Sequence, residues 1–473
     1  MKRLLFFLCA WCVLNGESIA AGVPSQPNIV FILADDLGWA DVGYHGPDIK
    51  TPNIDKLAAA GARLESFYVL PVCTPTRSAL MTGRYPIRYG RQFNVIRPGS
   101  QFGLSLDERL LPQALREAGY ATAICGKWHL GDFQPAYLPM QRGFDHQYGF
   151  ASHGEHFMHF PKVGSGLLRD QKPCSDEGYL THLTANESIR LIEQRDASKP
   201  LFLYVAFNAV HTPLECPPEY SAPYANLGPT RSIYAGMTAA MDEDIGKIIA
   251  AIEQHGMIKN TLIIFSSDNG GLTTKGKIAS NAPLRGGKGS LYEGGTRVPA
   301  FATWTDHIPA GTVVKEPLHI VDWYPTLLKL AGGSLDQKLP LDGRDIWPTI
   351  TQGQPSPHDV ILLNTVGRTG AIRMGDWKLI RNGKVDDDEE SGAKLSREDR
   401  QKKRQEQRAA PDTYELFNLA TDLSETTNLA GQQPDKVQEL RARLDIFAKE
   451  AVPPILNPKP SGSKTPKTKG EPK

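Results

Sequence analysis

Four short apolar runs, rich in β-branched residues, alternate along the chain with longer amphipathic segments. The apolar runs are NIVFILA, ATAICG, LFLYVAF and TLIIFSS. The helix-like patterns include TPNIDKLAAAGARL, LDERLLPQALREAG and YAGMTAAMDEDIGKIIAAIEQHG. Because buried strands that alternate with amphipathic helices form parallel sheets, the pattern predicts an α/β fold with a large, mixed but mostly parallel sheet between helices. In such folds, ligands bind beyond the carboxyl ends of the strands.

The pattern changes after the segment LDGRDIWPTI. Shorter strand-like pieces, VILLN, GAIRMG, WKLIRN and YELFNLATD, precede a last helical pattern, DKVQELRARLDIFAKEA. We therefore predict a main domain over residues 24–354 and a smaller C-terminal domain of antiparallel sheet plus helix over residues 355–453. The charged run 386–408 favours a solvated insertion over a partner-binding segment, and residues 454–473, rich in Pro and Lys, are predicted to be disordered.

The N-terminal residues have the pattern of a secretory signal peptide. Lys2 and Arg3 precede the apolar run Leu4–Leu14, and a small-residue cleavage site ends at Ala20. We predict that residues 1–20 are removed and that the mature chain is exported, to a periplasm or to the outside of the cell. No later segment is apolar enough to span a membrane, and a net charge of +1 argues against binding to nucleic acid or to an anionic membrane.

The cysteines of the mature chain differ in their sequence contexts. Of six cysteines, two lie in the predicted signal peptide, so the mature chain is not a disulfide scaffold. Cys125 ends the apolar run ATAIC and is predicted to be core. Cys174 and Cys216 lie in loop-like sequence, where a disulfide between them is left open. Cys73 stands in CTPTR, with a proline and an arginine at fixed spacing, and is the cysteine with a candidate chemical role.

Acidic residues directly follow two of the predicted strands. Asp35 and Asp36 come after NIVFILA, and Asp268 and Asn269 come after TLIIFSS. An Asp-Asp pair alone would more simply cap the following helix. Three carboxylates and one amide, however, make an oxygen-only set, and hard oxygen ligands select Ca²⁺ or Mg²⁺. The sequence therefore predicts a divalent cation at this edge of the sheet, Ca²⁺ first and Mg²⁺ as the alternative.

Basic residues form a second candidate set. The set comprises Arg77, Lys127 and His129 of GKWHLG, His211 of AVHTPL, and Lys288 of LRGGKGSLYEGG. Taken singly, a loop histidine is more often structural, and a glycine-rich loop is often only a turn. Their shared position at strand ends favours a functional pocket. A metal, cationic side chains and histidines together describe a site for a tetrahedral oxyanion ester, either phosphate or sulfate.

The stretch VLPVCTPTRSALMTGRYPIRYG favours sulfate. It resembles the signature of the formylglycine-dependent, type I sulfatases of the alkaline-phosphatase-like superfamily, which is Cys-x-Pro-Ser-Arg followed by a run ending in Thr-Gly-Arg. Here Thr76 stands at the usual serine position, while Cys73, Pro75 and Arg77 match. The resemblance is strongest toward the arylsulfatase B group, the N-acetylgalactosamine-4-sulfatases, and implies an alkaline-phosphatase-like fold. It extends over nearly the whole mature chain, through ADDLGWADVGYHG, GYATAICGKWHLG, PLFLYVAFNAVHTPL, SSDNGG, APLRGGKGSLYEGG and DWYPTLLKLAGG.

The resemblance implies that Cys73 is converted to formylglycine by a formylglycine-generating or sulfatase-maturing enzyme. The hydrated aldehyde carries two hydroxyls on one carbon. One hydroxyl attacks sulfur, and loss of the proton from the other expels sulfate and regenerates the carbonyl. A thiolate that attacked the same ester would form an intermediate without such an exit.

The resemblance also implies a role for each candidate residue. The metal ligands would be Asp35, Asp36, Asp268 and Asn269, with matured Cys73 as a further oxygen ligand. Arg77 would hold the formylglycine hydrate, while Lys127 and Lys288 would bind sulfate oxygens and offset the charge of the transition state. His129 would take the proton of the second hydroxyl, and His211, with Lys288, would protonate the leaving oxygen.

The implied substrate is a sulfated carbohydrate, with exo-acting removal of a 4-sulfate from a galactose-configured sugar favoured. Between residues 151 and 179 the resemblance weakens, and ASHGEHFMHFPKVGSG replaces the corresponding segment. An ordinary surface loop with incidental histidines is one interpretation of this segment, and a sugar subsite is the other. Sulfated galactans of algal type, such as carrageenan fragments, remain alternatives to chondroitin or dermatan pieces. The candidate sugar-binding residues of the segment are His153, Glu155, His156 and His159.

Two other classes of protein compete with a sulfatase. A phosphomonoesterase or phosphodiesterase of the same superfamily commonly uses Ser or Thr as nucleophile and several His and Asp ligands for two zinc ions, a set that this chain lacks. A sulfated-glycan-binding protein would keep Cys73 unconverted, which an intact mass measurement detects. The joint presence of the cysteine, both histidines, both lysines and the four oxygen ligands favours the sulfatase.

Overall fold

A computed structural model of the chain describes most of the predicted mature protein. The predicted signal peptide, the charged run 386–408 and most of the predicted tail lie outside the described residues. Among the described helices, none is both long and apolar enough to cross a membrane. The described residues are 26–455, except for 94, 98–99, 152–158, 163–164, 274–277 and 384–410.

Strands form in the apolar runs of the sequence and in shorter segments between them. The four runs that predicted the fold become β1, β4, β8 and β9, so the prediction is confirmed at each of them. In chain order, the described strands are β1 (Asn28–Ala34), β2 (Ala62–Leu64), β3 (Phe67–Tyr68), β4 (Ala121–Gly126), β5 (His146–Gly149), β6 (Leu168–Arg169), β7 (Lys172–Pro173), β8 (Leu201–Ala206), β9 (Thr261–Ser267), β10 (Ala300–Thr303), β11 (Thr312–Val314), β12 (Leu318–His319), β13 (Ile361–Val366), β14 (Thr369–Met374), β15 (Trp377–Arg381) and β16 (Tyr414–Asn418).

Helices form in the amphipathic segments between the strands. Three of them, α1, α3 and α6, lie within or overlap the helix-like patterns of the sequence, which confirms those predictions. The described α-helices are α1 (Pro52–Ala59), α2 (Cys73–Thr82), α3 (Leu111–Glu117), α4 (Leu180–Gln194), α5 (Pro218–Ser221), α6 (Pro229–Gln254), α7 (Glu293–Thr296), α8 (Trp323–Leu330), α9 (Trp347–Gln352) and α10 (Pro434–Glu450).

The main sheet is mixed and mostly parallel, as predicted. Within the described residues it has ten strands, in the order β11-β2-β10-β9-β1-β8-β4-β5-β6-β7. The central strands from β9 to β5 all pair in parallel. Antiparallel pairs involve β10 on one side and β6 and β7 on the other. The carboxyl ends of β1, β4, β8 and β9 therefore meet at one edge of the sheet.

Both faces of the main sheet are buried under helices. Along β1, Ile29, Phe31 and Leu33 belong to one apolar cluster, and Val30 and Ile32 belong to a second one. Residues of α2, α3 and α8 pack in the first cluster, and residues of α1, α4 and α6 pack in the second. A strand that is buried on both faces has no need for polar alternation, which explains its continuous apolar sequence.

The C-terminal part of the described chain forms a separate antiparallel sheet, in the order β13-β14-β15-β16. Helix α10 packs on it, because its Leu440 and Leu444 share an apolar cluster with Ile372 and Leu379 of the strands. A smaller unit of antiparallel sheet plus helix was the predicted type, and it is confirmed. The domain boundaries at 354 and 355 stay a prediction.

The cysteines adopt no pairing in the described structure. Cys174 and Cys216 are free thiols, so the disulfide that the sequence left open is not formed between them. Cys125 is fully buried in the core, as its apolar run predicted. Cys73 is also buried, at the edge of the sheet where the polar strand ends meet.

Candidate active site

The parallel neighbours β1 and β9 end side by side and carry the acidic residues. Asp35 and Asp36 follow β1, Asp268 and Asn269 follow β9, and each is at most 2% exposed. The backbone amide of Asp36 donates to Asp268 Oδ1 at 3.3 Å. The side-chain amide of Asn269 donates to Asp36 Oδ1 at 2.8 Å. The four residues of the predicted oxygen-only set therefore lie together.

Cys73 is the first residue of α2 and lies beside these carboxylates. One ligand atom each from Asp35, Cys73 and Asp268 lie within 4.8 Å of one another. The turn before the helix is fixed by Thr76, whose hydroxyl accepts from the Leu70 amide at 3.0 Å and donates to the Leu70 carbonyl at 3.1 Å. Burial raises the pKa of the Cys73 thiol to about 12, so the encoded side chain is a neutral thiol at neutral pH.

Two lysines reach the acidic residues from other parts of the chain. Lys127, directly after β4, donates from Nζ to Asp35 Oδ2 at 2.6 Å. Lys288, in the glycine-rich loop before α7, donates from Nζ to Asp36 Oδ2 at 2.9 Å. Both lysines are buried. Each predicted sulfate-binding cation is therefore next to a carboxylate of the predicted metal site.

Arg77 pairs with the third carboxylate. Its guanidinium donates to Asp268 Oδ2 from Nε at 3.0 Å and from Nη2 at 2.8 Å, and Nη1 donates to the Lys127 carbonyl at 3.1 Å. Burial and the nearby Asp35 carboxylate raise the pKa of Asp268 against the opposing effect of Arg77. Burial would also raise the pKa of Asp35, but Lys127 and the other cations outweigh it and hold that pKa well below its usual range. Three carboxylates and three cations thus balance one another.

Two buried oxygens of the acidic set fit a metal ion. Among the described residues, Asp35 Oδ1 and Asn269 Oδ1 have no hydrogen-bond donor. A buried acceptor without a donor costs free energy, which a bound cation relieves. Because the ligand atoms would be carboxylate and amide oxygens, Ca²⁺ or Mg²⁺ suits them better than a softer metal. Residues that would hold the ion are Asp35, Asp36, Asp268 and Asn269.

His211 lies in the turn that follows β8, next to Lys288. Its Nδ1 donates to the Thr212 carbonyl at 2.6 Å, so its Nε2 accepts from Lys288 Nζ at 3.2 Å. Burial, reinforced by Lys288, lowers the pKa of His211 to about 4. The imidazole is therefore neutral at neutral pH, and the nearest ionisable proton is on Lys288.

His159 supports the same turn from behind. Its Nε2 donates to the His211 carbonyl at 2.8 Å, and His159 is 0% exposed. His159 therefore does not line an open sugar subsite, which was one interpretation of its segment. Three other candidates for that subsite, His153, Glu155 and His156, lie outside the described residues.

His129 is held by two residues, Thr74 and Ile96, that are not among the predicted site residues. Its Nε2 donates to the Ile96 carbonyl at 3.2 Å, which places the lone pair of a neutral ring on Nδ1. Thr74 Oγ1 donates to the His129 carbonyl at 3.2 Å and accepts from the Ile96 amide at 3.2 Å. His129 itself has φ +62°, a left-handed conformation that is uncommon without glycine. Thr74 occupies a variable position of the cysteine motif, and Ile96 lies in a loop without a motif, so neither carried a signal.

A family model described as Sulfatase matches residues 27–334 of the chain. Arylsulfatase J of Mus musculus is 40% identical, over 94% of this chain and 79% of its own length. N-acetylgalactosamine-6-sulfatase of Mus musculus is 36% identical, over 76% of this chain and 73% of its own. Among solved structures, Ps i-CgsB in complex with k-i-k-neocarrahexaose has a TM-score of 0.80 at 33% identity, with 92% of this chain and 96% of that chain covered.

Proposed function

The chain belongs to the sulfatase family, and we propose that this sulfuric ester hydrolase of sulfated carbohydrates removes a 4-sulfate from a terminal, galactose-configured sugar. The proposed nucleophile is formylglycine made from Cys73. One observation carries the proposal: Cys73 begins a buried helix within 4.8 Å of carboxylate oxygens of Asp35 and Asp268. Three buried cations, Arg77, Lys127 and Lys288, form ion pairs with Asp35 or its neighbour Asp36.

The encoded thiol is a poor candidate for the nucleophile. Because the pKa of Cys73 is raised to about 12, very little thiolate is present near neutral pH. A matured Cys73 would instead supply a hydrated aldehyde, which has a second hydroxyl through which the sulfated intermediate breaks down. A maturation enzyme would therefore be an obligatory partner, and the predicted signal peptide makes export, periplasmic or secreted, part of the proposal.

The charges of the site suit an anionic ester once a divalent cation is present. The three buried carboxylates are offset by Arg77, Lys127 and Lys288. A Ca²⁺ ion, with Mg²⁺ as the alternative, would add two positive charges and would polarise a sulfate oxygen. Lys127 and Lys288 would then be free to turn toward sulfate oxygens, because the cation takes over the neutralisation of Asp35 and Asp36.

The two histidines are set up differently, which supports different roles. The proposed proton acceptor is His129, whose Nε2 donates to Ile96 and whose lone pair is therefore on Nδ1. His211 is neutral and accepts from Lys288, so the ammonium of Lys288 is the proposed source of the proton for the leaving oxygen. In this arrangement His211 orients Lys288 and shares its proton.

Two relatives support a galactose-configured substrate. One is named for N-acetylgalactosamine, and the other was solved with k-i-k-neocarrahexaose, an oligosaccharide of the carrageenan type. The second relative favours sulfated algal galactans as a second candidate class beside chondroitin and dermatan fragments. The first is named for a 6-sulfate, so the position of the ester is the part of the proposal that most needs a direct test.

The test is a panel of defined sulfated sugars incubated with the purified, matured enzyme. It contains N-acetylgalactosamine 4-sulfate and 6-sulfate, galactose 4-sulfate, and carrageenan and chondroitin oligosaccharides, with released sulfate and desulfated product both measured. We expect turnover of galactose-configured 4-sulfates at the chain end and none with Cys73→Ala. If only 2-sulfates or 6-sulfates are cleaved, the proposed position is wrong while the sulfatase activity stands.

A further inference from the structure

The loop that carries Lys288 is connected through its backbone to the metal-site residues. Lys288 N donates to the Gly271 carbonyl at 3.1 Å, and Gly270 N donates to the Gly295 carbonyl at 3.1 Å. Gly270 and Gly271 directly follow Asn269, and Gly295 belongs to α7. The short helix α7 is therefore bonded to the segment after Asn269, and its Gly294 N donates to the Arg285 carbonyl of the Lys288 loop at 2.8 Å.

Helix α7 is also packed tightly against that loop. A Cβ atom on Gly294 would lie 2.5 Å from the Gly286 carbonyl oxygen, and one on Gly295 would lie 2.6 Å from the Gly287 oxygen. Real Cβ atoms do not approach an oxygen so closely. The backbone of α7 therefore packs directly against the backbone of Gly286 and Gly287, the two residues before Lys288. A shift of α7 thus has to move the loop and the ammonium that it carries.

Glu293, the first residue of α7, is held by buried groups on several sides. Its carboxylate accepts from Tyr68 Oη at 2.8 Å, from Lys378 Nζ at 2.9 Å and from Arg297 Nη1 at 3.2 Å. Its backbone amide donates to Glu425 Oε2 at 2.6 Å. Lys378 Nζ also lies 2.8 Å from Glu425 Oε1. Lys378 is on β15, so the C-terminal sheet reaches into this cluster.

The buried charges of Glu293, Lys378 and Glu425 cost free energy of desolvation, which a purely stabilising role explains poorly. Glu293, Lys378 and Glu425 are each 0% exposed, and buried ion pairs are often no more stabilising than apolar residues of similar volume. Burial would raise the pKa of Glu293, but Lys378 and the nearby arginines outweigh it and lower that pKa to about 2. Glu293 is therefore ionised and depends on its partners, whose directional contacts fix where α7 begins.

We propose that Lys378 is a positioning residue for the sulfatase reaction. From the C-terminal sheet Lys378 holds Glu293, and through α7 it sets the position of Lys288. The C-terminal sheet thus takes part in building the active site rather than only covering the main sheet. The inference rests on the proposed role of Lys288 in protonating the leaving oxygen.

Lys378→Met tests the inference, because methionine keeps a long unbranched side chain and removes the charge. We expect kcat for a sugar sulfate to fall about 100-fold, the loss typical of a slightly misplaced catalytic group. For an aryl sulfate, whose leaving group needs little protonation, kcat should fall much less. Lys288→Ala should show the same dependence on the leaving group, and Lys378→Arg should recover part of the sugar-sulfate rate.

Arg381→Met is the matched control. Arg381 is on the same strand as Lys378, and its partner, Asp445 at 2.7 Å, is on α10 rather than on α7. Arg381→Met should lower the stability of the C-terminal sheet without changing the ratio of the sugar-sulfate rate to the aryl-sulfate rate. If Lys378→Met lowers both rates equally, or only in proportion to the folded fraction seen by circular dichroism, the inference is wrong.

Two further results separate the inference from the function on which it rests. If Lys288→Ala lowers both rates equally, the proposed role of Lys288 fails and the inference falls with it. If Lys288→Ala shows the leaving-group dependence and Lys378→Met does not, only the inference is refuted. Should Lys378→Met fail to fold, Tyr68→Phe removes the hydroxyl that donates to Glu293 and accepts from Arg373 Nη1 at 2.6 Å, and we expect a leaving-group-dependent loss of about tenfold. Equal losses on both substrates would then overturn the inference.

Discussion

Thr74→Val is the sharpest test of how the site holds His129. The side chain of Thr74 is fully buried, and its hydroxyl bonds both the His129 carbonyl and the Ile96 amide, each at 3.2 Å. Valine has nearly the same shape but can form neither bond, so the His129 carbonyl and the Ile96 amide each lose this hydrogen-bond partner. Position 74 is one of the two variable positions of the Cys-x-Pro-x-Arg motif, so the substitution leaves the fixed residues of the motif intact.

The expected magnitude follows from those two bonds. Each buried group left without a partner costs about 1 to 3 kcal/mol, so Thr74→Val should lower the free energy of unfolding by about 2 to 6 kcal/mol. Thr74→Ser is the control, because serine keeps both bonds and loses one buried methyl, about 1 kcal/mol. If His129 acts as a base, its displacement should lower kcat by up to about 100-fold in the valine variant alone.

The assay combines urea denaturation with turnover of a sulfated sugar at saturating concentration. Rates are expressed per mole of formylglycine, measured on the peptide that contains Cys73, so that incomplete maturation does not count as lost catalysis. If the valine and serine variants have the same stability and the same kcat, then Thr74 does not hold His129 and the reasoning is refuted.

Three further predictions concern the metal, the sulfate-binding cations and the acid stability of the fold. Removal of divalent cations by a chelator should abolish activity and leave the far-ultraviolet circular dichroism unchanged, because the three buried carboxylates keep their three cationic partners; recovery with zinc but not with calcium or magnesium would contradict the metal assignment. Lys127→Met should lower kcat/KM by about 100- to 1000-fold, since it removes a charge that we propose stabilises the developing anion, and an unchanged kcat/KM would rule out that role. Burial would raise the pKa of Glu187, but hydrogen bonds from His146, Arg190 and Arg169 hold it well below its usual range. The stability that this carboxylate contributes is therefore present above the unfolded pKa of 4.5 and is lost as the pH falls further. Glu187→Gln should thus be destabilised by about 2 kcal/mol at pH 7 in urea denaturation, and a difference that does not shrink below pH 4.5 would contradict this.

The strand ends explain why so much of the site was predictable. Asp35 and Asp268 are far apart in sequence, but each follows a buried, largely apolar strand, and parallel strands bring such ends together. Lys127 likewise directly follows a buried strand, β4. Cys73 was found by its motif, and its position at the start of a helix agrees with the Thr-Pro step that follows it.

Other features had no local sequence signal. Lys378 lies in WKLIRN, where a lysine between apolar residues suggests a solvent-facing position of a strand, yet it is fully buried against Glu293. Its environment depends on how two sheets that are distant in sequence pack together, and periodicity within one strand does not contain that information. The burial of His159 behind the His211 turn has the same origin, because it depends on which segment packs under a loop.

The most direct test of the central claim is the mass of the tryptic peptide of residues 64–77, which contains Cys73, isolated from fully active enzyme. Formylglycine differs from cysteine by the loss of sulfur and two hydrogens and the gain of one oxygen. We expect that mass in active enzyme, in an amount that rises in proportion to the turnover of a galactose-configured 4-sulfate across preparations matured to different degrees. Full activity in a preparation whose peptide contains only unmodified cysteine would contradict the mechanism proposed for this sulfatase.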